Sequence, residues 1–248
     1  MYLYRTKFKG IVTEFAVPKN LKSKKVLLIL SGLPGYPHKL KYEKIVREFT
    51  LRGYYIFIPR YRGTWESEGK LFEKCPCFDV VDVIEGIQNE FKELWGGKTF
   101  KITSPQVFVY GVSFGGPAAL FSSTIKEVKK VLALSPVVDW RTMDDTVEPI
   151  PVLSRFVSEA FGEGYRIVKG GWKKIKEGFF YNPATGLEKI DTKKVLIIHA
   201  EDDDVISLES VRDFVAGEKI KSIFVKKGGH GPEIFSPRFK QTVLKFLS

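Results

Sequence analysis

The sequence predicts an α/β protein built on one mostly parallel β-sheet with helices on both faces. Short apolar runs alternate along the chain with longer stretches whose apolar positions are spaced as on one side of a helix. The runs are continuous rather than alternating with polar residues, as expected of strands covered on both faces. The chain has 248 residues, 44% of them apolar and 14% aromatic, which is enough for one large core and excludes disorder as the main state.

In chain order, residues 2–8 and 11–17 are β-rich and flank Gly10, which reads as a hairpin. Strands of five to seven residues follow at 25–31, 54–59, 107–111, 130–134, 194–199 and 221–226. Between or after them, 39–52, 78–94, 116–126, 208–216 and 237–247 read as helices with spaced apolar positions. Strand–helix alternation of this kind implies right-handed crossovers within one domain. One connection is too long for a simple crossover: 59 residues separate Leu134 from Lys194. The excess, about 137–182, carries Trp140, Phe156, Phe161, Tyr165, Trp172, Phe179, Phe180 and Tyr181. It is expected to be a helical cap inserted at the carboxyl end of a strand, where open α/β folds bind ligands. Most of its aromatics should form its own core, and some should line a pocket.

Forty basic residues against 29 acidic give a net charge of +11, which raises nucleic acid or another anionic surface as a partner. No aromatic-interleaved basic patch or helix-turn-helix pattern accompanies the excess, and the lysines are scattered, so the charge reads as a solvated surface. The longest apolar runs fall far short of a membrane span, and the first residues lack the apolar core of a signal peptide, so a cytoplasmic protein is expected. Cys75 and Cys77 flank Pro76. At a spacing of two they are badly placed to bridge each other and too few for a zinc site, so they are expected to be unpaired thiols, in keeping with a reducing compartment.

The motif that points to chemistry is Gly111-Val112-Ser113-Phe114-Gly115-Gly116, between an apolar strand and a helix. A serine on so tight a strand-to-helix turn needs small residues two before and two after it, which Gly111 and Gly115 supply. Pro117 falls in the first helical turn, where its missing N–H does no harm. A serine hydroxyl also needs a base to take its proton. The chain has three histidines. His199 closes a strongly apolar strand and reads as structural. His38 lies in the loop after the first parallel strand, near the same sheet edge. His230 follows a strand and precedes the last helix in a glycine-rich loop, the place for a mobile base. A carboxylate to orient that base is expected at another strand end, between serine and histidine in chain order. Glu201, Asp202, Asp203 and Asp204 all qualify by position.

Together these residues resemble the α/β-hydrolase superfamily over nearly the whole chain. The stretch His199-Ala200-Glu201-Asp202-Asp203-Asp204-Val205-Ile206 is similar to that family's H-G-x-x-D-x-x-V segment. The alignment puts the triad acid at Asp203, with Asp202 and Asp204 as alternatives and Ala200 replacing the usual glycine. Gly229-His230-Gly231 is similar to its histidine turn. Ser31-Gly32-Leu33-Pro34-Gly35 resembles the H-G-x-x-G oxyanion motif with serine in place of histidine. It implies the backbone amides of Leu33 and Phe114 as oxyanion donors. Tyr61-Arg62-Gly63-Thr64-Trp65-Glu66-Ser67-Glu68-Gly69 looks like the family's R-G-x-G-x-S-x-G loop. That loop is usually structural, and Trp65, replacing a glycine, is a candidate to reach the acyl pocket.

The resemblance implies a serine hydrolase with the triad Ser113, Asp203 and His230, acting on small carboxylic esters through an acyl-serine. A peptidase, thioesterase or amidase would use the same residues. A non-catalytic binder of nucleic acid or another anionic surface on the same scaffold is the alternative of another class. No metal or organic cofactor is called for. The expected partner is a small acyl substrate, with no nucleic acid and no membrane span.

Overall fold

Residues 4–8 and 11–16 are the antiparallel hairpin, β1 (Tyr4–Phe8) and β2 (Ile11–Ala16), turning through Lys9 and Gly10, both at positive φ. The computed structural model describes residues 3–35, 42–231 and 237–248. The chain continues through β3 (Lys25–Leu30), α1 (Glu43–Leu51), β4 (Tyr55–Pro59) and α2 (Pro76–Gln88). Next come a small hairpin, β5 (Phe91–Lys92) and β6 (Thr99–Phe100), then β7 (Gln106–Val112), α3 (Gly115–Ser122) and β8 (Val128–Leu134). It ends with α4 (Ile150–Phe161), α5 (Gly171–Lys176), β9 (Val195–Ala200), α6 (Leu208–Glu218), β10 (Lys221–Val225) and α7 (Pro237–Phe246).

Eight strands form one sheet in the order β1-β2-β4-β3-β7-β8-β9-β10. From β4 to β10 all neighbours are parallel, and β2 runs antiparallel to both β1 and β4. All six predicted parallel strands are present. Their continuous apolar character follows from the pleat, which sends successive side chains to opposite faces that are both covered. Leu28, Val109, Ala133 and Ile197 pack on one side with Val83 and Ile84 of α2, Ala118 of α3 and Val211 of α6. Leu27, Phe108, Leu132 and Leu196 pack on the other with Val46 and Phe49 of α1 and Val243 of α7. Burial of each Val, Leu, Ile or Phe side chain among them contributes roughly 1.5–3 kcal/mol. All six parallel strands direct their carboxyl ends to one edge of the sheet, which positions the loops described below.

Two expectations need correction. The helix predicted over 78–94 starts at Pro76 and stops at Gln88, because Asn89 turns extended (φ −96°, ψ 174°) and residues 91–100 form the β5–β6 hairpin instead. Its turn is tied by the buried Glu93, whose carboxylate accepts from the amides of Trp95 and Gly96, both at 2.6 Å. The second correction is chemical: Cys75 and Cys77 are joined in a disulfide. Cys75 is the extended N-cap of α2 and Pro76 opens the helix, so the chain turns sharply between the two. Their Cα atoms are 5.2 Å apart, inside the range a disulfide spans. With no free cysteine, unpaired thiols no longer speak for a reducing compartment.

Within 137–182 lie the 3₁₀ segment Trp140–Asp145 and the helices α4 and α5. Trp140, Tyr165 and Tyr181 are buried, as expected of core aromatics, whereas Phe156 and Phe179 are exposed. Residues 164–168 exchange backbone hydrogen bonds with 63–71. Trp65 N–H donates to Gly164 O (2.8 Å), Arg166 N–H to Gly63 O (2.8 Å) and Leu71 N–H to Arg166 O (2.7 Å). Among the described residues no helix is long and apolar enough to cross a membrane.

Candidate active site

Ser113 follows β7 directly and sits at φ 52°, a left-handed conformation uncommon for a non-glycine residue. Its backbone is fixed on both sides: its N–H donates to Leu134 O at 3.0 Å, and its carbonyl accepts from Gly116 N–H at 2.8 Å. The flanking glycines are required by contact. A Cβ on Gly111 would lie 2.5 Å from Gly115 O, and one on Gly115 would lie 2.4 Å from Leu30 O. The turn therefore closes only with hydrogen at both positions, and the serine is left partly exposed at the carboxyl edge of the sheet.

The four carboxylates after β9 have separate surroundings, which their sequence did not reveal. Glu201 pairs with Arg212 at 3.1 Å on the surface. Asp202 Oδ1 accepts from the amides of Gly228 and Gly229, each at 2.8 Å, and so shapes the loop that carries His230. Asp204 is exposed. Asp203 alone is buried, and both its carboxylate oxygens lie 3.1 Å from His230 Nδ1. Oδ1 also accepts from the amides of Val205 and Ile206, each at 3.0 Å. Burial by itself opposes ionisation of Asp203, but the hydrogen bonds from His230 and the Ile206 amide outweigh it and hold the carboxyl below its usual range. An ionised carboxylate only accepts, so the proton of the pair sits on His230 Nδ1 and leaves Nε2 as a base.

Gly32 places the 31–35 loop beside the serine: a Cβ built on it would lie 3.2 Å from Ser113 Cβ and 3.7 Å from its Oγ. The amides of Leu33 and Phe114 donate to no acceptor among the described residues. Ser113 Oγ likewise makes no hydrogen bond there, to His230 or any other group. The structure thus joins Asp203 to His230 and the 31–35 loop to Ser113, while the serine–histidine contact is not formed. His199 is fully buried, with Nδ1 at 3.9 Å from Asp203 Oδ2, and burial lowers its pKa and favours the neutral imidazole. His38 lies outside the described residues. Among those described, no group of three or more His, Cys, Asp or Glu is arranged to hold a metal ion.

Sequence reasoning missed two contacts. Tyr181 OH donates to Phe114 O at 2.6 Å, tying the distal end of the insertion to the residue after Ser113. Trp65 lines a small pocket with Ser31, Gly32 and Tyr165, and its Nε1–H donates to Gly35 O at 2.8 Å. Aromatic residues with polar tips that reach a backbone oxygen from far along the chain leave no local pattern to read.

No family model matches this chain, and no curated protein matches it. Solved structures do. An esterase of Pyrococcus furiosus superposes with a TM-score of 0.67 at 16% identity, over 99% of this chain and 90% of its own. An acylaminoacyl peptidase of Pyrococcus horikoshii gives 0.66 at 18% identity, over 99% of this chain and 40% of its own. Est1E from Butyrivibrio proteoclasticus gives 0.65 at 14% identity, over 100% of this chain and 99% of its own. The chain thus spans well under half the length of the peptidase but nearly all of the other two. With the mostly parallel eight-stranded sheet, these likenesses establish that the chain has the α/β-hydrolase fold. Identities this low speak for the fold and not for a substrate.

Proposed function

We propose that the protein is a serine hydrolase acting on small carboxylic esters, with Ser113 as nucleophile, His230 as base and Asp203 as the group that orients the base. The observation that carries this reading is the pairing of buried Asp203 with His230, formed on the same sheet edge as a serine held at positive φ. Ser113 Oγ attacks the ester carbonyl carbon while its proton passes to His230 Nε2, and the imidazolium formed is stabilised by Asp203. The amides of Leu33 and Phe114 receive the developing oxyanion, each worth about 10²–10³ in rate. The protonated His230 then gives its proton to the departing alkoxide. Water attacks the acyl-serine next, with His230 again the base.

The absence of a bonded serine–histidine pair does not weigh against this reading, because such contacts tighten only when substrate binds. Residues 137–182, entering from the end of β8, are proposed as a cap over the site. The backbone hydrogen bonds between residues 164–168 and 63–71 support that role. Ester cleavage is placed first because an esterase superposes over 99% of this chain and 90% of its own.

The test is reaction with a fluorophosphonate probe together with turnover of p-nitrophenyl butyrate. Wild-type protein is expected to label at Ser113 and hydrolyse the ester. Ser113→Ala is expected to lose both while keeping its far-UV circular dichroism. Undiminished turnover in that variant would sink the assignment. A panel of matched esters, thioesters and aminoacyl amides then separates the hydrolase classes.

A further inference from the structure

The 31–35 loop is folded back so tightly that a Cβ on Gly35 would lie 2.8 Å from Gly32 O. Both its ends are held by aromatic side chains with polar tips. At the start, Tyr42 OH donates to Ser31 Oγ at 2.6 Å and Tyr61 OH to Ser31 O at 3.0 Å. At the end, one acceptor takes two donors: Gly35 O receives Trp65 Nε1–H at 2.8 Å and the Tyr165 hydroxyl. These two donors come from segments 100 residues apart in sequence and arrive as one unit. Trp65 N–H bonds Gly164 O, and the rings of Trp65 and Tyr165 pack edge to face with centroids 6.1 Å apart. Trp65 sits at φ 48°, a conformation a bulky residue rarely adopts and one that persists only where surroundings over-determine it. Tyr165 is buried, and burial pushes its hydroxyl well up, so it stays a donor over the working pH range.

We propose that Trp65 and Tyr165 are positioning residues for the oxyanion donor, clamping Gly35 O so that the Leu33 amide is held still beside Ser113. The assignment rests on the serine-hydrolase reading above. Its physical basis is that an amide stabilises a developing oxyanion only if it is already in place when charge appears. A loop free to shift must spend part of that stabilisation on reorganisation. Tyr165 belongs to the inserted segment, so the same contact makes the insertion a structural part of the oxyanion site.

Trp65→Phe and Tyr165→Phe keep an aromatic ring and remove one donor each. With p-nitrophenyl butyrate, each variant is expected to lose about 10-fold in kcat with KM within about twofold of wild type. Thermal midpoints should stay close to wild type, and amide hydrogen exchange over residues 31–35 should quicken. Trp95→Phe, whose parent side chain is 92% exposed on the β5–β6 turn, serves as the control and should change nothing. Unchanged kcat and unchanged exchange in both variants of an active enzyme would overturn the clamp and leave the hydrolase reading standing. Activity lost only in proportion to folded protein, with kcat per folded molecule intact, would likewise reduce the pair to a structural role. A wild-type protein that neither cleaves the ester nor takes the fluorophosphonate overturns both readings together.

Discussion

Asp203 and Asp79 are both buried carboxyls, yet their surroundings push them in opposite directions. Hydrogen bonds from His230 and the Ile206 amide outweigh burial at Asp203 and keep its folded-state pKa below that of the unfolded chain. Its stabilising contribution is therefore present above the unfolded pKa and is lost as pH falls through the lower folded value. At Asp79 burial wins despite the Arg62 guanidinium at 3.3 Å and the Arg62 amide at 2.8 Å, and the pKa is pushed up to about 6. Here the folded state holds a proton that the unfolded state gives up first. Asp79 therefore costs stability as pH rises from the ordinary carboxylate range, about 4, through about 6. Urea unfolding as a function of pH should show Asp79→Asn removing a fall in stability over that window, and a profile identical to wild type would refute the assignment. Asp203→Asn should act on rate instead. With an amide in place of the acceptor-only carboxylate, the His230 tautomer is no longer fixed, and kcat should drop by about 10³–10⁴ with the fold retained. A drop of less than tenfold would mean that another carboxylate orients the histidine, and Asp202, bonded to Gly228 and Gly229, is the one to examine next.

At the scale of elements, the tight turn between β7 and α3 has no room for a side chain at Gly111 or Gly115. Gly115→Ala places a methyl 2.4 Å from Leu30 O, a backbone atom of a central strand that cannot swing aside. The expected cost is about 1–3 kcal/mol in chemical denaturation, with a loss of activity beyond the loss of folded protein because Ser113 moves with the turn. A variant as stable and as active as wild type would show that the strand-to-helix packing is looser than these contacts require. This element was legible in the sequence because its requirement is local: glycine, serine and glycine at fixed spacing between a strand and a helix. The β5–β6 hairpin was not. The apolar positions of residues 78–94 continue a helical pattern past Gln88, and the element ends only because Asn89 turns extended and Glu93 caps the following turn. The Cys75–Cys77 bond was misread for a related reason. Spacing alone forbids little, and the turn from extended N-cap into helix is what brings the two Cα atoms to 5.2 Å.

At the scale of the whole molecule, the excess of 40 basic over 29 acidic residues is spread over exposed positions, and many of those charges are engaged locally. Lys9 pairs with Asp82 at 2.9 Å and with Glu85 at 2.5 Å, and Lys240 with Glu48 at 3.0 Å. A surface of this kind steers anions at long range without a dedicated site. Esters carrying a negative group are accordingly expected to show a kcat/KM that falls as salt rises from about 0.01 to 0.5 M, while neutral esters stay flat. Equal salt dependence for both would remove any role for the net charge in substrate capture. Retention of duplex DNA at about 0.15 M salt, without esterase activity, would instead revive the nucleic-acid reading.

What the sequence determined by itself is the order of the parallel strands and of most helices, the tight turn at Ser113, and the residue types that meet at the sheet edge. Apolar periodicity, glycine spacing and chain order are each written within a few residues, and a parallel sheet with covered faces admits little freedom in how they assemble. Residue chemistry left four adjacent carboxylates open and the family resemblance pointed to Asp203, which the tertiary structure pairs with His230; only the tertiary structure decided that Trp65 and Tyr165 converge on one carbonyl. Those outcomes depend on burial and on contacts between segments tens to a hundred residues apart, where a side chain's neighbours, and not its own sequence context, set its charge and its partner.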